Sequence, residues 1–303
     1  MQEKVFYKYS NPNDYSLDAL NHKYMYFSRP SELNDPEDCC IPISLKADDA
    51  HYKEWIKHAK ALRSECDTIK SVDILKRKLQ KKRFRKRLYE SVKVAQERFH
   101  VYSMSETNRN ISLWTNPDYN SDFSGFCLGF KAFQYRIEEG DTSYFIPTCN
   151  SFKSKRRKPC IYPYETCFVP QKVEYDNDRN HFYRVFGNEY GQDHLTLLHD
   201  ENTEMIKYNL FHKTAKWSEE NEWRGYYVEE FSENTAAPKN QDDCKVYFSE
   251  DILDSITFGC NIDETKRSEI LGILKKSFTN FENIKLFVAF PSGTDEVEIR
   301  PYK

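Results

Sequence analysis

Lys213, Trp217, Glu220, Glu222, Trp223 and Arg224 form the constellation in this chain best suited to chemistry. Residues two apart on a strand share a face. A strand opening near Glu220 would therefore aim Glu220 and Glu222 the same way, with Arg224 beside them. Paired carboxylates in such a setting orient a hydroxyl and stabilise a developing cation. The plain alternative is a solvated strand entry, because Glu and Lys are seldom buried.

Three further groups stand out. Asn34-Asp35-Pro36-Glu37-Asp38 carries three carboxylates, which suit a divalent metal or simply a turn closed by side-chain bonds to the backbone. Ser103-Met-Ser105-Glu106, followed by Leu113-Trp114 and Tyr119, places hydroxyls where a strand ends; these suit a phosphate or ribose, or local backbone groups. In Lys76–Arg87, nine of twelve residues are Lys or Arg. Stripes of this kind bind phosphate backbones, and Lys81, Lys82, Arg83 and Arg85 are the candidate contacts. The competing reading is a solvated helix. The basic tip Lys153–Lys158 would add to the stripe if it shared its face.

The elements that must position these groups follow from periodicity. Val5–Tyr9 and Tyr24–Phe27 read as strands, with a helix between them capped by Asn13 or Ser16 and carrying Leu17 and Leu20. On the first strand, alternation puts Tyr7 and Tyr9 on one face and Lys8 on the other. Helical spacing predicts Ala50–Arg63 and Val72–Phe99, the second marked by Leu75, Leu79, Phe84, Leu88 and Val92. Strands are expected at Phe99–Met104, Gly125–Phe130, Phe168–Tyr175, Trp223–Val228, Lys245–Phe248, toward Gly259, and in a hairpin from Ile284–Ala289 to Glu296–Ile299. Residues 140–165 read as loop, Asp193–Trp217 as helix, and Asp263–Phe278 as a helix capped by Asp263. Strands and helices do not alternate strictly. The expectation is an α+β fold with a mixed, mainly antiparallel sheet, forming a single domain that carries a helical, basic insertion at about 48–99.

Composition narrows the field. Hydrophobic residues make up 39% and charged residues 31% of the 303 positions, with 21 Tyr and 21 Phe. A mean hydropathy of -0.83 with so many aromatics excludes a disordered chain. The net charge of -3 argues against a dedicated nucleic-acid coat protein. No run of apolar residues is long enough for a transmembrane helix, and the opening residues lack an apolar signal core. Nine cysteines at irregular spacing, without C-x-x-C, fit a reduced, cytoplasmic chain and no zinc finger. There is no H-E-x-x-H, P-loop, G-x-G-x-x-G or nucleophile elbow.

In order, these segments resemble an uncharacterised bacterial family, domain of unknown function 2971. The likeness runs through Tyr7-Lys8-Tyr9, Tyr26-Phe27-Ser28-x-Pro30, Asn34-Asp35-Pro36, Ser103/Ser105, Leu113-Trp114, Gly125-Phe126-Cys127, Phe130, Val173-x-Tyr175, Lys213, Trp217, Glu220-x-Glu222-x-Arg224 and Gly259. It departs at Thr115-Asn-Pro117-Asp-Tyr119 and is weakest in the helical insertion. More distantly, Tyr7–Tyr9, Phe27-Ser28 and Glu220-x-Glu222 resemble the ADP-ribosyltransferase superfamily. That resemblance implies an ADP-ribosyltransferase-like core and NAD as substrate. Glu222 would hold the ribose and Glu220 would orient the acceptor, with Tyr7, Tyr9, Ser28 and Trp114 around the nucleotide. It implies a toxin or anti-phage effector acting on nucleic acid or protein. The residues themselves also admit a metal-dependent nuclease using Asp35, Glu37 or Asp38 with Glu220 and Glu222, or a non-catalytic nucleic-acid-binding or regulatory module.

Overall fold

Phe6 and Tyr9 are buried along the first strand, and that strand lies inside the main sheet rather than at its rim. The computed structural model describes residues 3–35, 38–39, 43–61, 69–97, 99–117, 122–138, 141–149, 167–176, 183–184, 210–228, 244–293 and 296–303. In chain order its elements begin with β1 (Glu3–Ser10), α1 (Asp14–His22), β2 (Tyr24–Tyr26), β3 (Ile43–Ser44), α2 (Asp49–Ala61), α3 (Val72–Leu79), α4 (Lys82–Gln96) and β4 (Phe99–Ser105). Next come α5 (Ile111–Thr115), β5 (Phe126–Glu138), β6 (Asp141–Pro147), β7 (Cys167–Phe168), β8 (Gln171–Lys172), β9 (Glu174–Asp176), β10 (Tyr183–Arg184) and β11 (His212–Thr214). The chain continues with β12 (Glu222–Val228), β13 (Lys245–Tyr247), β14 (Leu253–Gly259), α6 (Glu264–Ser277), β15 (Lys285–Pro291) and β16 (Val297–Pro301).

Among the described residues the main sheet has ten strands in the order β16-β15-β14-β5-β1-β4-β12-β8, with β6 on β5 and β7 on β6. Its ladders are antiparallel except β14–β15, which is parallel and is connected through α6. The architecture is α+β. Among the described residues, no helix is long and apolar enough to cross a membrane.

Local chemistry explains most boundaries. The Asn13 side chain accepts from Ser16 N and starts α1, and Asp263 accepts from Thr265 N and Lys266 N to start α6; both are ordinary N-caps. The helix expected over Val72–Phe99 is two helices, because the chain turns at Gln80–Lys81. Two further expectations are corrected. Asp141–Pro147, read as loop, is a strand paired with β5. The last part of the helix expected to run to Trp217 is strand β11, which pairs in parallel with β9, followed by a 3-10 segment at Ala215–Glu220. The Lys153–Lys158 tip and most of Asp193–Phe211 lie outside the described residues.

Three apolar clusters stack around the sheet. The largest joins Phe6, Phe27, Tyr102, Phe130 and Phe258 with α1 and α6. A second packs Trp55, Ile69, Leu75 and Leu88 of the helical segment against Phe99 and Val101 of β4, and reaches Cys39, Leu210 and Phe211. The third gathers Tyr9, Leu113, Trp114, Phe123 and Cys127. The helices expected at about 48–99 therefore rest on the outer half of the sheet, on the segments that carry the charged residues described next.

Candidate active site

Strand β1 pairs with β5 along its whole length but meets β4 only at Tyr7↔Ser105. Where β1 and β4 part, a small pocket opens to solvent, lined by Tyr7, Lys8, Tyr9, Ser103, Met104, Leu113, Glu220 and Glu222. Strand alternation assigned Lys8 to the face opposite Tyr7 and Tyr9. All three reach the pocket because it occupies the gap beside β1 and not one face of it.

Both glutamates of the Glu-x-Glu step line this pocket, although strand periodicity is not what brings them together. Glu220 ends the 3-10 segment, Asn221 adopts the left-handed region at φ 46°, and Glu222 opens β12. Asn tolerates that conformation better than most residues. The segment is pinned by Asn110, whose Nδ2 donates to the carbonyls of Glu219 at 2.8 Å and Glu220 at 3.0 Å. Asn110 escaped the sequence reading. Its one visible signal is its place as the N-cap of α5, where its side chain accepts from Leu113 N.

Behind the pocket lies a buried ion network. Arg224 is fully buried. Its Nε donates to Glu222 Oε1 at 2.6 Å and its Nη2 to Glu222 Oε2 at 3.0 Å. The same guanidinium grips Asp38 through Nη1 at 2.9 Å and Nη2 at 2.6 Å, and donates to the Leu210 carbonyl at 2.8 Å. Lys213 Nζ donates to Glu220 Oε2 at 2.7 Å and Glu222 Oε2 at 3.2 Å, and stands 3.5 Å from Asp38. Asp38, Glu220 and Glu222 are thus opposed by Lys213, Arg224 and the nearby Lys8.

The two glutamates differ in what they can still do. Glu222 accepts from Arg224 Nε and Nη2, from Lys213 and from the Ser103 side chain. A carboxylate has about four acceptor sites, so Glu222 is saturated. Burial would raise its carboxyl, but the Arg224 guanidinium and the Lys213 ammonium outweigh it and hold it down at about 2. Glu220 receives one side-chain donor, Lys213, among the described residues. Its carboxyl is pushed up by burial, which Lys213 only partly offsets. The carboxylate with capacity for a ligand is therefore Glu220, and Glu222 positions it through their shared Lys213.

Lys8 is half-buried and its ammonium lies 5.0 Å from the Tyr102 ring centre. Burial pulls its amine down to about 8, against the opposing field of Glu222. An unfolded lysine titrates at about 10.4, so between those values the unfolded chain binds more protons and stability rises with pH. Lys8→Met is expected to raise Tm at neutral pH and to lose that advantage as the pH climbs past 8 toward 10. Thermal melts of both proteins across this window give the difference; a constant gap would mean that the Lys8 amine is not desolvated.

The remaining candidates separate clearly. Trp114 is fully buried, stacks on Phe123 and meets Tyr9 edge-on at 5.2 Å, and its Nε1 donates to the Asn108 carbonyl at 2.8 Å. It supports Tyr9 from behind and cannot touch a cofactor, which corrects its assignment to the nucleotide. Ser28 does not line the pocket; its N and O bond Val101 of β4 at 2.8 Å each. Burial pushes the Tyr7 hydroxyl up to about 12 and Tyr9 well above its ordinary value, so both remain neutral donors. Tyr9 donates to the Thr107 carbonyl at 3.0 Å and accepts from Asn110 N at 3.2 Å.

The metal alternative fares differently. Asp35 accepts from Trp217 Nε1 at 2.6 Å and Asp38 is taken by Arg224, while Glu37 lies outside the described residues. The described residues contain no group of three or more His, Cys, Asp or Glu placed to share an ion. The basic candidates Lys81, Lys82 and Arg83 are exposed at the α3–α4 turn and are not among the residues that line the pocket. Arg85 is corrected: its Nη1 donates to the carbonyls of Leu79 at 2.8 Å and Gln80 at 3.1 Å, so it ties the turn.

The chain matches no protein-family model, and neither curated proteins nor solved structures provide a match.

Proposed function

We propose that the pocket between β1 and β4 is the active site of an NAD-using, ADP-ribosyltransferase-like enzyme. The observation that carries this reading is convergence: Tyr7–Tyr9 of the opening strand, Ser103 and the Glu220–Glu222 step line one pocket although they are distant in the chain. Tyr7–Tyr9 and Glu220-x-Glu222 are two of the three segments through which the chain resembles that superfamily; the third, Phe27-Ser28, lies outside the pocket lining. The chemistry is coherent. The bond between nicotinamide and ribose C1′ breaks, and its electron pair leaves with the nicotinamide. The ribose becomes oxocarbenium-like, and a fixed anion beside it lowers the barrier. Glu220 accepts a ribose hydroxyl and faces the cation; Glu222, held ionised at neutral pH by Arg224 and Lys213, fixes Lys213 and hence Glu220. An acceptor oxygen or nitrogen then bonds C1′ and releases its proton to solvent or to Glu220. Tyr7 and Tyr9 offer aromatic surface to a planar ring.

The test is release of nicotinamide from labelled NAD by the purified protein, with cell extract supplying acceptors, with and without EDTA and DNA. Release that resists EDTA, with label transferred to a macromolecule, is expected. A wild-type protein that releases no nicotinamide under any of these conditions sinks the reading.

A further inference from the structure

We propose that the α3–α4 hairpin is a docking surface for the phosphate backbone of duplex nucleic acid. The inference stands apart from the transferase reading, because it concerns residues that do not line the pocket and a binding event rather than a reaction. Residues 76–87 carry nine Lys or Arg and no acid, in a chain whose net charge is -3. The density is therefore local. In the structure these residues form two helices joined by a two-residue turn. Arg85 clamps the last carbonyls of α3, Leu75 is fully buried and Leu88 nearly so, and Leu79 and Phe84 pack on the same cluster.

With the apolar residues turned inward, the cations face water. Arg77, Lys81, Lys82, Arg83 and Lys86 are exposed. Lys86 faces Glu90 at 3.6 Å and Lys76 faces Asp49 at 2.5 Å. For Lys81, Lys82 and Arg83, no ion pair is present among the described residues. Crowded like charges repel each other, and a polyanion relieves that repulsion by giving up its condensed counterions.

Two features select the partner. A helix that lies on a membrane needs an apolar face to insert; here that face is spent on the core, and Tyr89, 37% exposed, is the one large hydrophobic that α3 and α4 show to solvent among the described residues. Single strands are held by aromatic platforms on which bases stack, and Phe84 is packed inward. A cationic face on which Tyr89 is the one exposed aromatic among the described residues fits the regular phosphates of a duplex, read by charge and not by sequence.

The experiment is fluorescence anisotropy with a labelled DNA duplex of about 20 base pairs, in salt from about 50 to 200 mM. Parallel arms use the same-length single strand and phosphatidylserine-containing vesicles. The triple variant Lys81→Gln, Lys82→Gln, Arg83→Gln is compared with Lys275→Gln, Lys276→Gln on α6, and melting temperatures confirm that both are folded. The wild type is expected to bind the duplex with a steep salt dependence. The triple variant should lose about tenfold or more in affinity and about 2–3 from the slope of log K against log salt, while the α6 variant stays within about twofold of wild type. Duplex binding unchanged in the folded triple variant overturns the proposal. So does the absence of duplex binding at the lowest salt, tighter binding of the single strand, or binding to vesicles alone.

Discussion

Arg224→Met is expected to cost about 3–5 kcal/mol of stability, the range for removing one partner from a buried ion pair. In a chain of this size that is on the order of 5 °C in Tm. The reason is the guanidinium's position. It is fully buried and grips two buried carboxylates, those of Asp38 and Glu222. Methionine fills much of the volume but leaves those anions with Lys213 as their remaining close cation. Asp38→Asn should be far less damaging on the Arg224→Met background than on the wild type, because the charge it removes is then already unpaired. The pH dependence follows. Glu222 titrates at about 2 in the fold and at about 4.3 when unfolded. Its contribution is complete above the higher value and is lost as the pH falls toward the lower one. Melts from neutral pH down to about pH 2 should show this acid loss in the wild type and a much smaller one in Arg224→Met. A variant whose Tm stays within a degree of wild type would mean that water already reaches the network.

The second large effect is expected at Glu220. Glu220→Gln keeps the shape, removes the charge with spare acceptor capacity, and leaves Arg224, Asp38 and Glu222 paired. NAD turnover should fall by about 10²–10³-fold, with Tm nearly unchanged. Glu222→Gln should lose turnover as well, but together with stability, since the charge it removes is bound by both Arg224 and Lys213. From sequence alone, Glu222→Gln would be expected to act on rate and spare the fold; the buried network transfers that behaviour to Glu220. The raised Glu220 carboxyl adds a signature: the acid limb of the rate profile should lie above the ordinary glutamate range and vanish in Glu220→Gln. Measuring nicotinamide release and Tm on the same preparations separates the two residues. A folded Glu220→Gln with wild-type turnover would remove Glu220 from the reaction.

The parts of this structure that were legible from sequence are those set by local pattern. Apolar runs such as Phe99–Ser105 and Trp223–Val228 announce strands, and the Asn13 and Asp263 caps start their helices where side-chain chemistry says they should. The segment around Lys213 misled because Leu195, Leu198, Met205, Ile206, Leu210 and Phe211 read as the apolar face of a helix that would run on to Trp217. Long-range pairing of β11 with β9 and the charges around Asp38 override that local preference. The Glu-x-Glu step was recognisable, yet its geometry comes from a left-handed Asn221 and not from strand alternation. The Asp38–Arg224 pair, the Asn110 clamp and the place of Lys8 in the pocket arise from contacts between distant segments, and no spacing in the chain encodes them. Trp114 illustrates the converse: a tryptophan beside a site is as easily its foundation as its wall.

Asp38 and Arg224 are 186 positions apart, and that distance imposes a schedule on synthesis. Chains grow at about 5–20 residues per second, so the Asp38 loop waits roughly 10–40 s before its guanidinium has even been made. Strand β1 finds its β5 partner much sooner, once residue 133 is available. A nascent chain can therefore hold the middle of its sheet long before Asp38 has its counter-ion. The pocket is the late product of folding: a ribosome that stalls before residue 213 leaves a chain that holds the tyrosines and has none of Lys213, Glu220, Glu222 and Arg224 to face them.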